Sequence, residues 1–337
     1  MKTKNFLYFK IWVALIIFLM IFTNCVKRPD VTFNNPYDPQ GINYNFPFNA
    51  IKIAAGYCHS LAIKNDGTLW ATGYNEYGKL GTGDNTSRNV FVQVLSGVSA
   101  IAGGWSHSLA LKSDGTLWAT GYNGSGQLGT GDNTSRNVFV QVLSGVSFIA
   151  AGSWHSLALK NDGTLWATGN NVPGQLGTGD NNNTNVFVQV LSGVSAIAGG
   201  GGHSLALKND GTLWAAGENE YGQLGTGDTN NRNVFVQVLS GVSAIAAGFS
   251  HSLALKSDGT LWATGNNWAG QLGTGDNNNR NVFVQVLSGV SAIAAGFSHS
   301  LALKSDGTLW ATGGNNSGQL GTGDNINRNV FVQIYQH

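Results

Sequence analysis

Apolar residues along most of this chain alternate with small or polar residues, and the whole pattern returns every 48 residues. The period between apolar positions is two rather than 3.6, which predicts β-strands instead of amphipathic helices. Six copies of 48 residues account for the chain from Ala50 to His337. One histidine marks each copy: His59, His107, His155, His203, His251 and His299. The sequence therefore predicts six similar β-rich units in tandem.

Each copy is predicted to contain four short strands, as the second copy illustrates. Asp114 and Gly115 lie between its second and third strands, and an Asp-Gly pair is typical of a tight hairpin because glycine accepts a positive φ. A glycine-rich stretch before the fourth strand predicts a loop. The four strands are Val98–Ala102, Ser108–Leu111, Thr116–Thr120 and Val138–Val142.

Four short antiparallel strands are not stable alone, because one small sheet leaves two open edges and an uncovered apolar face. Repeats of about 40 to 50 residues with four strands each are typical of β-propellers, whose radial closure covers those faces. A linear solenoid is the alternative. It requires capping repeats with polar outer faces, whereas the first and last copies here are as apolar as the others. The predicted fold is an all-β propeller of six blades.

Three segments of the repeat resemble the repeat of the regulator of chromosome condensation family. They read Ala-Gly-x-x-His-Ser-Leu-Ala-Leu, Asp-Gly-Thr-Leu-Trp-Ala-Thr-Gly and Gly-Gln-Leu-Gly-Thr-Gly-Asp. The resemblance implies a propeller, most often of seven blades, and a seventh blade would have to come from the 25 residues before the first repeat. Members include a guanine-nucleotide exchange factor on chromatin and an inhibitor of β-lactamases. Both bind another protein through a propeller face, so the resemblance implies protein binding.

Residues that recur in every copy are predicted to be scaffold rather than catalytic groups. A His, a Ser and an Asp recur together, as at His107, Ser108 and Asp114, but a hydrolase needs one asymmetric centre with an oriented base and an oxyanion hole. Six equivalent histidines on separate blades are expected to lie too far apart to share a metal ion. We therefore predict no enzyme, no catalytic residue, no metal site and no cofactor.

The glycine-rich loop and the recurring aromatic residues fit the same interpretation. Gly126–Gly131 lacks the glycine spacing of a dinucleotide loop, and no helix follows it. Asp132 is expected to stabilise its own turn rather than bind Ca²⁺. One Trp and one Phe of each copy are predicted to pack between blades. They are Trp70, Trp118, Trp166, Trp214, Trp262 and Trp310, with Phe91, Phe139, Phe187, Phe235, Phe283 and Phe331.

The charge of the chain argues against a nucleic-acid partner. It has 18 Lys and Arg against 17 Asp and Glu, a net charge of +1, whereas nucleic-acid binders carry a strong basic excess. Five arginines precede the last strand of their copies, and each is predicted to pair with the Asp of the preceding Gly-Asp turn. They are Arg88, Arg136, Arg232, Arg280 and Arg328, and Thr184 breaks the series.

Two positions vary between otherwise similar copies, and both are predicted to lie in loops. One lies two residues before each recurring His, with Trp154 one residue before it in the third copy, and the other follows the Trp strand. Equivalent loops of a propeller gather at one face, so the substitutions there predict an aromatic rim suited to protein binding; neutral drift of exposed loops is the alternative. The candidate rim residues are Tyr57, Tyr74, Tyr77, Trp105, Tyr122, Trp154, Tyr221, Phe249, Trp268 and Phe297.

The first 50 residues predict an export signal and a tether. Three lysines precede the uncharged run Ile11–Phe22, which is shorter than the ~20 residues of a membrane-spanning helix. Cys25 follows this run and resembles the lipid acceptor of bacterial lipoproteins; an ordinary cleaved signal and an uncleaved anchor are the alternatives. The predicted domains are a signal peptide at 1–24, a lipidated, Pro-rich tether at 25–50 and a propeller at 51–337.

Cys58 is the other cysteine of the chain, and no other repeat has a cysteine at that position. The repeats therefore predict no structural disulfide. The tether carries four of the five prolines, which favour extended chain, and its aromatic residues predict that part of it packs on the propeller. These aromatic residues are Phe33, Tyr37, Tyr44, Phe46 and Phe48.

The sequence thus predicts an exported, monomeric, lipid-anchored propeller of the cell envelope or cell surface. Its predicted function is non-enzymatic binding of an unidentified protein through the variable loops, with the membrane contacted by the lipid at Cys25. One alternative is an envelope spacer or antigenic surface protein with no specific partner. Another is an exchange-factor-like regulator, which the export signal disfavours because it separates the chain from GTPases and DNA.

Overall fold

The structure is a computed structural model that describes residues 50–335. The predicted signal peptide, Cys25 and the tether as far as Asn49 lie outside the described residues. Within 50–335 the chain forms 24 strands in six four-stranded sheets. All pairings are antiparallel between consecutive strands of one repeat. The predicted all-β fold with one blade per repeat is confirmed.

The strands have the following bounds. Blade 1 comprises β1 (Ala50–Ala55), β2 (His59–Lys64), β3 (Leu69–Gly73) and β4 (Arg88–Leu95), with a short 3-10 helix at Glu76–Gly78. Blade 2 comprises β5 (Val98–Gly103), β6 (His107–Lys112), β7 (Leu117–Gly121) and β8 (Arg136–Leu143). Blade 3 comprises β9 (Val146–Ala151), β10 (His155–Lys160), β11 (Leu165–Gly169) and β12 (Thr184–Leu191). Blade 4 comprises β13 (Val194–Gly199), β14 (His203–Lys208), β15 (Leu213–Gly217) and β16 (Arg232–Leu239). Blade 5 comprises β17 (Val242–Ala247), β18 (His251–Lys256), β19 (Leu261–Gly265) and β20 (Arg280–Leu287). Blade 6 comprises β21 (Val290–Ala295), β22 (His299–Lys304), β23 (Leu309–Gly313) and β24 (Arg328–Gln333).

A short hydrogen-bonded chain fixes the turn between the second and third strands of each blade. Asp114 Oδ1 accepts hydrogen bonds from the backbone N–H of Thr116 at 2.9 Å and from its hydroxyl at 2.6 Å. Trp118 Nε1 donates to the same hydroxyl, and Lys112 Nζ lies 4.2 Å from the Trp118 ring centroid. All six blades repeat this arrangement, so the predicted role of the Asp in the turn is confirmed.

The glycine-rich loop before each fourth strand is organised around a buried asparagine. Asn123 Nδ2 donates to Asp132 O at 2.7 Å, and its Oδ1 accepts from Leu128 N at 2.9 Å. Asp132 Oδ1 accepts from Thr134 N, and Arg136 Nη2 lies 2.6 Å from Asp132 Oδ2. The hydrogen bond from Arg136 is the main cause that lowers the pKa of Asp132 to about 2. All five predicted Arg–Asp pairs are present.

Glycine is required at Gly129 of this loop for two reasons. Its φ is +74°, and a Cβ added there would lie 2.5 Å from the ring of Phe187 in the next blade. The same close approach places Phe187 in the core between blades 2 and 3, beside Leu109, Leu117 and Leu128. Each fully buried leucine of this kind contributes ~1.5–3 kcal/mol of transfer free energy, so these cores hold the blades together.

A chain of buried histidines and serines links successive blades. His59 Nε2 lies 2.8 Å from Ser108 Oγ, and Ser108 Oγ donates to the carbonyl of Lys79 at 2.7 Å. Because the serine proton is used there, Nε2 must be the donor to Oγ. The five pairs are His59–Ser108, His107–Ser156, His155–Ser204, His203–Ser252 and His251–Ser300. These recurring groups are therefore scaffold, as predicted.

The last blade and the first blade are not joined as the others are. Five core clusters lie between consecutive blades, and none within residues 50–335 joins blade 6 to blade 1. Leu309 is 41% exposed on blade 6, whereas Leu261, its counterpart in blade 5, is fully buried. Ile53 is 82% exposed on blade 1. We call this opening the seam, defined by Leu303 and Leu309 on blade 6 and Ile53 on blade 1.

The seam corrects the expectation that six copies close the ring. Leu303 and Leu309 belong to the face that packs on the following blade, and Ile53 belongs to the face that packs on the preceding blade. Each face thus lacks its partner surface among the described residues. The first and last repeats are as apolar as the middle ones. Leu303 and Leu309 on blade 6 and Ile53 on blade 1 are therefore exposed at positions that are covered in the other blades.

Candidate binding face

The two variable loops of each blade meet at one face of the propeller. The first loop leads into the second strand and the second loop leaves the third strand, and these strands pair as an antiparallel hairpin. In blade 2 the backbone N–H of Tyr122 donates to the carbonyl of Ser106 at 2.8 Å, which joins the loops directly. All six blades have the equivalent hydrogen bond. The prediction that both variable positions lie in neighbouring loops is therefore correct.

Aromatic side chains from these loops form one connected cluster across the ring of blades. The ring of Trp105 in blade 2 stacks on Tyr57 of blade 1 at 4.0 Å between centroids. It also lies 6.0 Å from Trp154 of blade 3, 5.8 Å from Phe249 of blade 5 and 6.4 Å from Phe297 of blade 6. Because one residue contacts four other blades, the cluster crosses the centre of the ring.

Two tyrosines extend the cluster outward. Tyr122 meets Trp154 edge-on at 5.6 Å and Tyr77 at 4.9 Å, while Phe249 and Phe297 stack at 4.3 Å. These distances fall in the range of favourable aromatic pairs. We call the connected group the axial aromatic cluster; it comprises Tyr57, Tyr77, Trp105, Tyr122, Trp154, Phe249 and Phe297.

The other three candidate rim residues lie apart from the axial aromatic cluster. Tyr221 and Trp268 form a separate edge-on pair at 5.1 Å, and Trp268 is 66% exposed. Tyr74 donates a hydrogen bond to Glu76 Oε2, and its ring centroid lies 4.7 Å from Lys79 Nζ. The predicted rim thus consists of the axial aromatic cluster at the centre, the Tyr221–Trp268 pair and Tyr74.

Burial divides the platform into an inner and an outer part. Tyr57, Trp105, Trp154 and Phe249 are half-buried, because they pack on one another. Burial raises the pKa of the Tyr57 hydroxyl above its usual value, so this group stays neutral and able to donate. Tyr74, Tyr77, Trp268 and Phe297 are exposed. The outer residues therefore offer apolar area to a partner, whereas the inner residues hold the platform in shape.

Lys79 is a functional candidate that the sequence interpretation missed. It is buried in blade 1 at a position occupied by glutamine in every other repeat. Burial lowers the pKa of Lys79 to about 8, and Glu76 opposes that shift. In blade 2 the side-chain oxygen of Gln127 accepts from Ser125 N at 3.0 Å, and a lysine cannot replace this acceptor. Tyr77 is the residue of blade 1 that is equivalent to Ser125, and its φ is +66°. Comparison of the repeats alone would have shown the substitution.

Two carboxylates on blade 4 were also missed as site residues. Burial, and then the charge of Glu220, raise the pKa of Glu218 above its usual value. The same residues, after burial, raise the pKa of the Tyr221 hydroxyl. No ion pair among the described residues involves Glu218 or Glu220. The loops of blade 4 thus present negative charge beside the Tyr221–Trp268 pair.

Cys58 overturns the expectation of no structural disulfide. It is disulfide-bonded, and no free cysteine is found in the part of the chain that the structure describes. Cys58 is the sole cysteine within residues 50–335. The repeats do not predict this bond, because none of the other five has a cysteine at the equivalent position.

No group of His, Cys, Asp and Glu within residues 50–335 is arranged to hold a metal ion. No helix in this range is long and apolar enough to cross a membrane.

The sequence matches the RCC1-like domain over residues 39–335. The chain belongs to the RCC1-like domain family. Human WBSCR16 is a solved neighbour with a TM-score of 0.76 and 27% identity, over 84% of this chain and 81% of that chain. The structure of yeast RCC1 (Prp20) bound to Kap60 has a TM-score of 0.76 and 24% identity, over 85% of this chain and 75% of that chain. The structure of Prp20p from Saccharomyces cerevisiae has a TM-score of 0.75 and 24% identity, over 85% of this chain and 77% of that chain.

A curated relative shares a shorter stretch with this RCC1-like chain. The E3 ubiquitin-protein ligase MYCBP2 of Danio rerio is 32% identical over 65 residues. That stretch is 19% of this chain and 1% of the relative. The match therefore concerns the repeat and not the rest of the ligase.

Proposed function

We propose that this RCC1-like propeller binds another protein through the axial aromatic cluster and the Tyr221–Trp268 pair, without catalysing a reaction. The observation that carries the proposal is the convergence of Trp105 with rings from four other blades at 4.0 to 6.4 Å. Large, rigid aromatic side chains with a polar edge are enriched among residues that dominate protein interfaces. A connected platform of this kind suits a protein surface.

The solved neighbours support binding as a general property. One structure holds yeast RCC1 (Prp20) with Kap60, and another was described with the binding of Prp20p to Gsp1p and histones. At 24% identity these structures share the fold with this chain, and a fold hosts many functions. The proposal therefore takes from them a protein partner in general and none of those partners in particular.

Non-enzymatic action is supported by the state of the recurring histidines. Burial lowers the pKa of His155 to about 3, and its Nδ1 makes no hydrogen bond in the structure. A histidine that stays neutral and buried near pH 7 is unsuited to proton transfer with a substrate, because general acid–base catalysis works best with a pKa near the operating pH.

A first test is the capture of a partner by the binding face. We expect the double variant Trp268→Ser/Phe297→Ser to lose at least about tenfold of the retained partner, because exposed aromatic anchors often contribute 2 kcal/mol or more. The measurement is a pull-down from envelope and extracellular extracts with the soluble chain from residue 26. Trp105→Ser is less informative, because Trp105 is half-buried and its loss removes four ring contacts.

The matched control replaces exposed valines on the outer strands. Val186 and Val282 are 46% and 45% exposed, so Val186→Ser/Val282→Ser removes apolar area away from the binding face. Equal retention by both double variants, with unchanged thermal midpoints, would contradict the proposal. Capture of nothing by the well-folded chain would favour an envelope spacer, a role that the close similarity of the six blades also fits.

We also propose that the protein is exported. The lysine-rich start and the apolar run Ile11–Phe22 support export. The disulfide at Cys58 supports it as well, since structural disulfides persist mainly in oxidising compartments. Envelope or surface location follows from this proposal, and a cytosolic exchange-factor role is disfavoured by it.

Lipid attachment at Cys25 is proposed as the membrane anchor, because this cysteine follows the apolar run Ile11–Phe22 as the lipid acceptor of bacterial lipoproteins does. We expect wild-type protein to incorporate a fatty-acid probe, Cys25→Ser to lose it, and Cys58→Ser to keep it. Cys58→Ser is the matched control, because it removes the other cysteine of the chain. Absence of the fatty-acid label from the wild-type protein would contradict the anchor.

A further inference from the structure

The surface around the Tyr221–Trp268 pair combines an exposed aromatic ring with two carboxylates. Trp268 is 66% exposed, and Tyr221 of the preceding blade meets it edge-on. Glu220 is exposed next to Tyr221 in the sequence, and Glu218 is half-buried in the same loop. The charges of both carboxylates, after burial, raise the pKa of the Tyr221 hydroxyl. Both carboxylates therefore lie close to the ring pair.

Two glycines of blade 4 make room for the carboxylate of Glu218. Gly201 stands where blade 2 has Trp105, and Gly202 follows it. A Cβ added to Gly202 would lie 2.8 Å from Glu218 Oε2, and one added to Gly201 would lie 2.9 Å from the ring of Phe249. Glu218 and Phe249 thus approach the same two glycines, so the carboxylate lies where the axial aromatic cluster and the pair adjoin.

Most carboxylates within residues 50–335 have a cation beside them. Each hairpin-turn Asp has its pKa lowered in part by the charge of a lysine in its own blade. Five loop aspartates pair with arginines, and the charge of Glu76 acts on Lys79. No ion pair among the described residues involves Asp180, Glu218 or Glu220. These three lie on blades 3 and 4, which therefore carry a local excess of negative charge.

We propose that the protein bound by this face presents a cationic side chain, a lysine or an arginine, to Trp268, Glu218 and Glu220. The inference rests on the proposed function and names the chemistry of the partner at one place on the face. An aromatic ring attracts a cation over its surface, and a carboxylate forms its strongest hydrogen bonds with a charged donor. An apolar side chain at this place would cover the half-buried Glu218 without a counter-charge, which is unfavourable.

Fluorine NMR of the full-length chain, labelled with fluorotryptophan and held in a non-ionic detergent at pH 7, tests this inference. The probe is a short peptide with one arginine among Gly and Ser residues, and its neutral counterpart carries citrulline instead. We expect the arginine peptide to shift the signal of Trp268, which is assigned by its loss in Trp268→Phe. The citrulline peptide should bind at least about tenfold more weakly, because it lacks the charge.

Removal of the two carboxylates is the second arm of the test. Glu218→Gln/Glu220→Gln is expected to raise the dissociation constant of the arginine peptide about tenfold. An amide at position 218 is compatible with the fold, since Asn170 and Asn266 stand at the equivalent positions of blades 3 and 5. The thermal midpoint is therefore expected to stay unchanged.

The matched control is Asp114→Asn/Asp162→Asn, which removes two negative charges at hairpin turns on the opposite face. It should leave the dissociation constant unchanged. Equal weakening by both double variants would assign the effect to the overall charge of the chain, and equal binding of the two peptides would assign it to apolar contact. Either result would overturn the inference, as would a Trp268 signal that the arginine peptide does not shift.

The pull-down separates this inference from the proposed function. A partner lost by Trp268→Ser/Phe297→Ser but fully retained by Glu218→Gln/Glu220→Gln would keep the binding face and overturn the cationic contact. Binding of the arginine peptide at Trp268, with no protein captured by the well-folded chain, would keep the cation site and contradict the proposed function.

Discussion

Acidification from pH 7 to about pH 5 is expected to unfold the propeller. Five buried histidines have pKa values lowered to about 3 or 4, chiefly by burial. In the unfolded chain these groups titrate near 6.5, so the unfolded state binds more protons below that pH. Stability is therefore complete above pH 6.5 and falls as the pH falls. Each such histidine costs ~1.4 kcal/mol at pH 5.5, and five cost ~7 kcal/mol, comparable with the ~5–15 kcal/mol of a typical domain.

The structure explains why these histidines resist protonation. Nε2 already donates to a serine, and Nδ1 is buried without a hydrogen-bond partner, so an added proton would have no acceptor. The carboxylates do not account for a loss in this range, because pKa values of the turn aspartates are lowered from 3.8. Their contribution disappears only below that value.

Denaturant unfolding at several pH values checks this expectation. The free energy of unfolding should fall between pH 6.5 and 5 with a slope of about five protons. His155→Gln should reduce that slope by about one proton, whereas His299→Gln should change it little, because His299 is half-buried and lacks the serine bond. A free energy that stays level from pH 7 to 4.5 would contradict the buried, neutral histidines.

Insertion of one more repeat is expected to stabilise the chain that begins at residue 50. A second copy of Val98–Gly145 placed after Gly145 supplies a blade with both apolar faces. It would allow Leu303, Leu309 and Ile53 to be covered as their counterparts are. These side chains are 40%, 41% and 82% exposed, so burial of their remaining area contributes ~2–5 kcal/mol by transfer. The thermal midpoint is then expected to rise by about 5 °C or more.

The control is a deletion of the same repeat from the chain 50–337. Deletion leaves five blades and the same number of uncovered faces, so it should lower the midpoint by removing one interface. A seven-repeat chain no more stable than the chain 50–337 would mean that the opening is not one blade wide.

The strands of each blade follow from the sequence because each rests on local rules. An Asp-Gly pair with Trp118 two residues beyond its Thr fixes a hairpin. The burial of Asn123 was not predicted, although an asparagine recurs at this position in all six copies. The pairing of Arg136 with Asp132 was predictable because four residues separate them. Recurrence also marked the histidines as scaffold, although it could not show that each donates to a serine of the next blade.

The seam and the axial aromatic cluster are not readable from repeats, since both depend on how many blades the ring can hold. The curvature between blades fixes that number, and curvature arises from packing across interfaces such as that of Leu109 and Phe187. Whether Trp105 reaches Phe249 depends on the width of the centre. The candidate rim was thus predicted as a set of residues, and its division into a platform and a pair was not.

Site-specific photo-crosslinking in intact cells tests the binding face most directly. A benzophenone side chain placed at Trp268 would sample what covers the face, and one placed at Val186 would sample the outer strands. The proposed function predicts one discrete adduct with another protein from position 268 and none from position 186. Adducts from both positions alike, or from position 186 alone, would contradict a protein-binding role for this face.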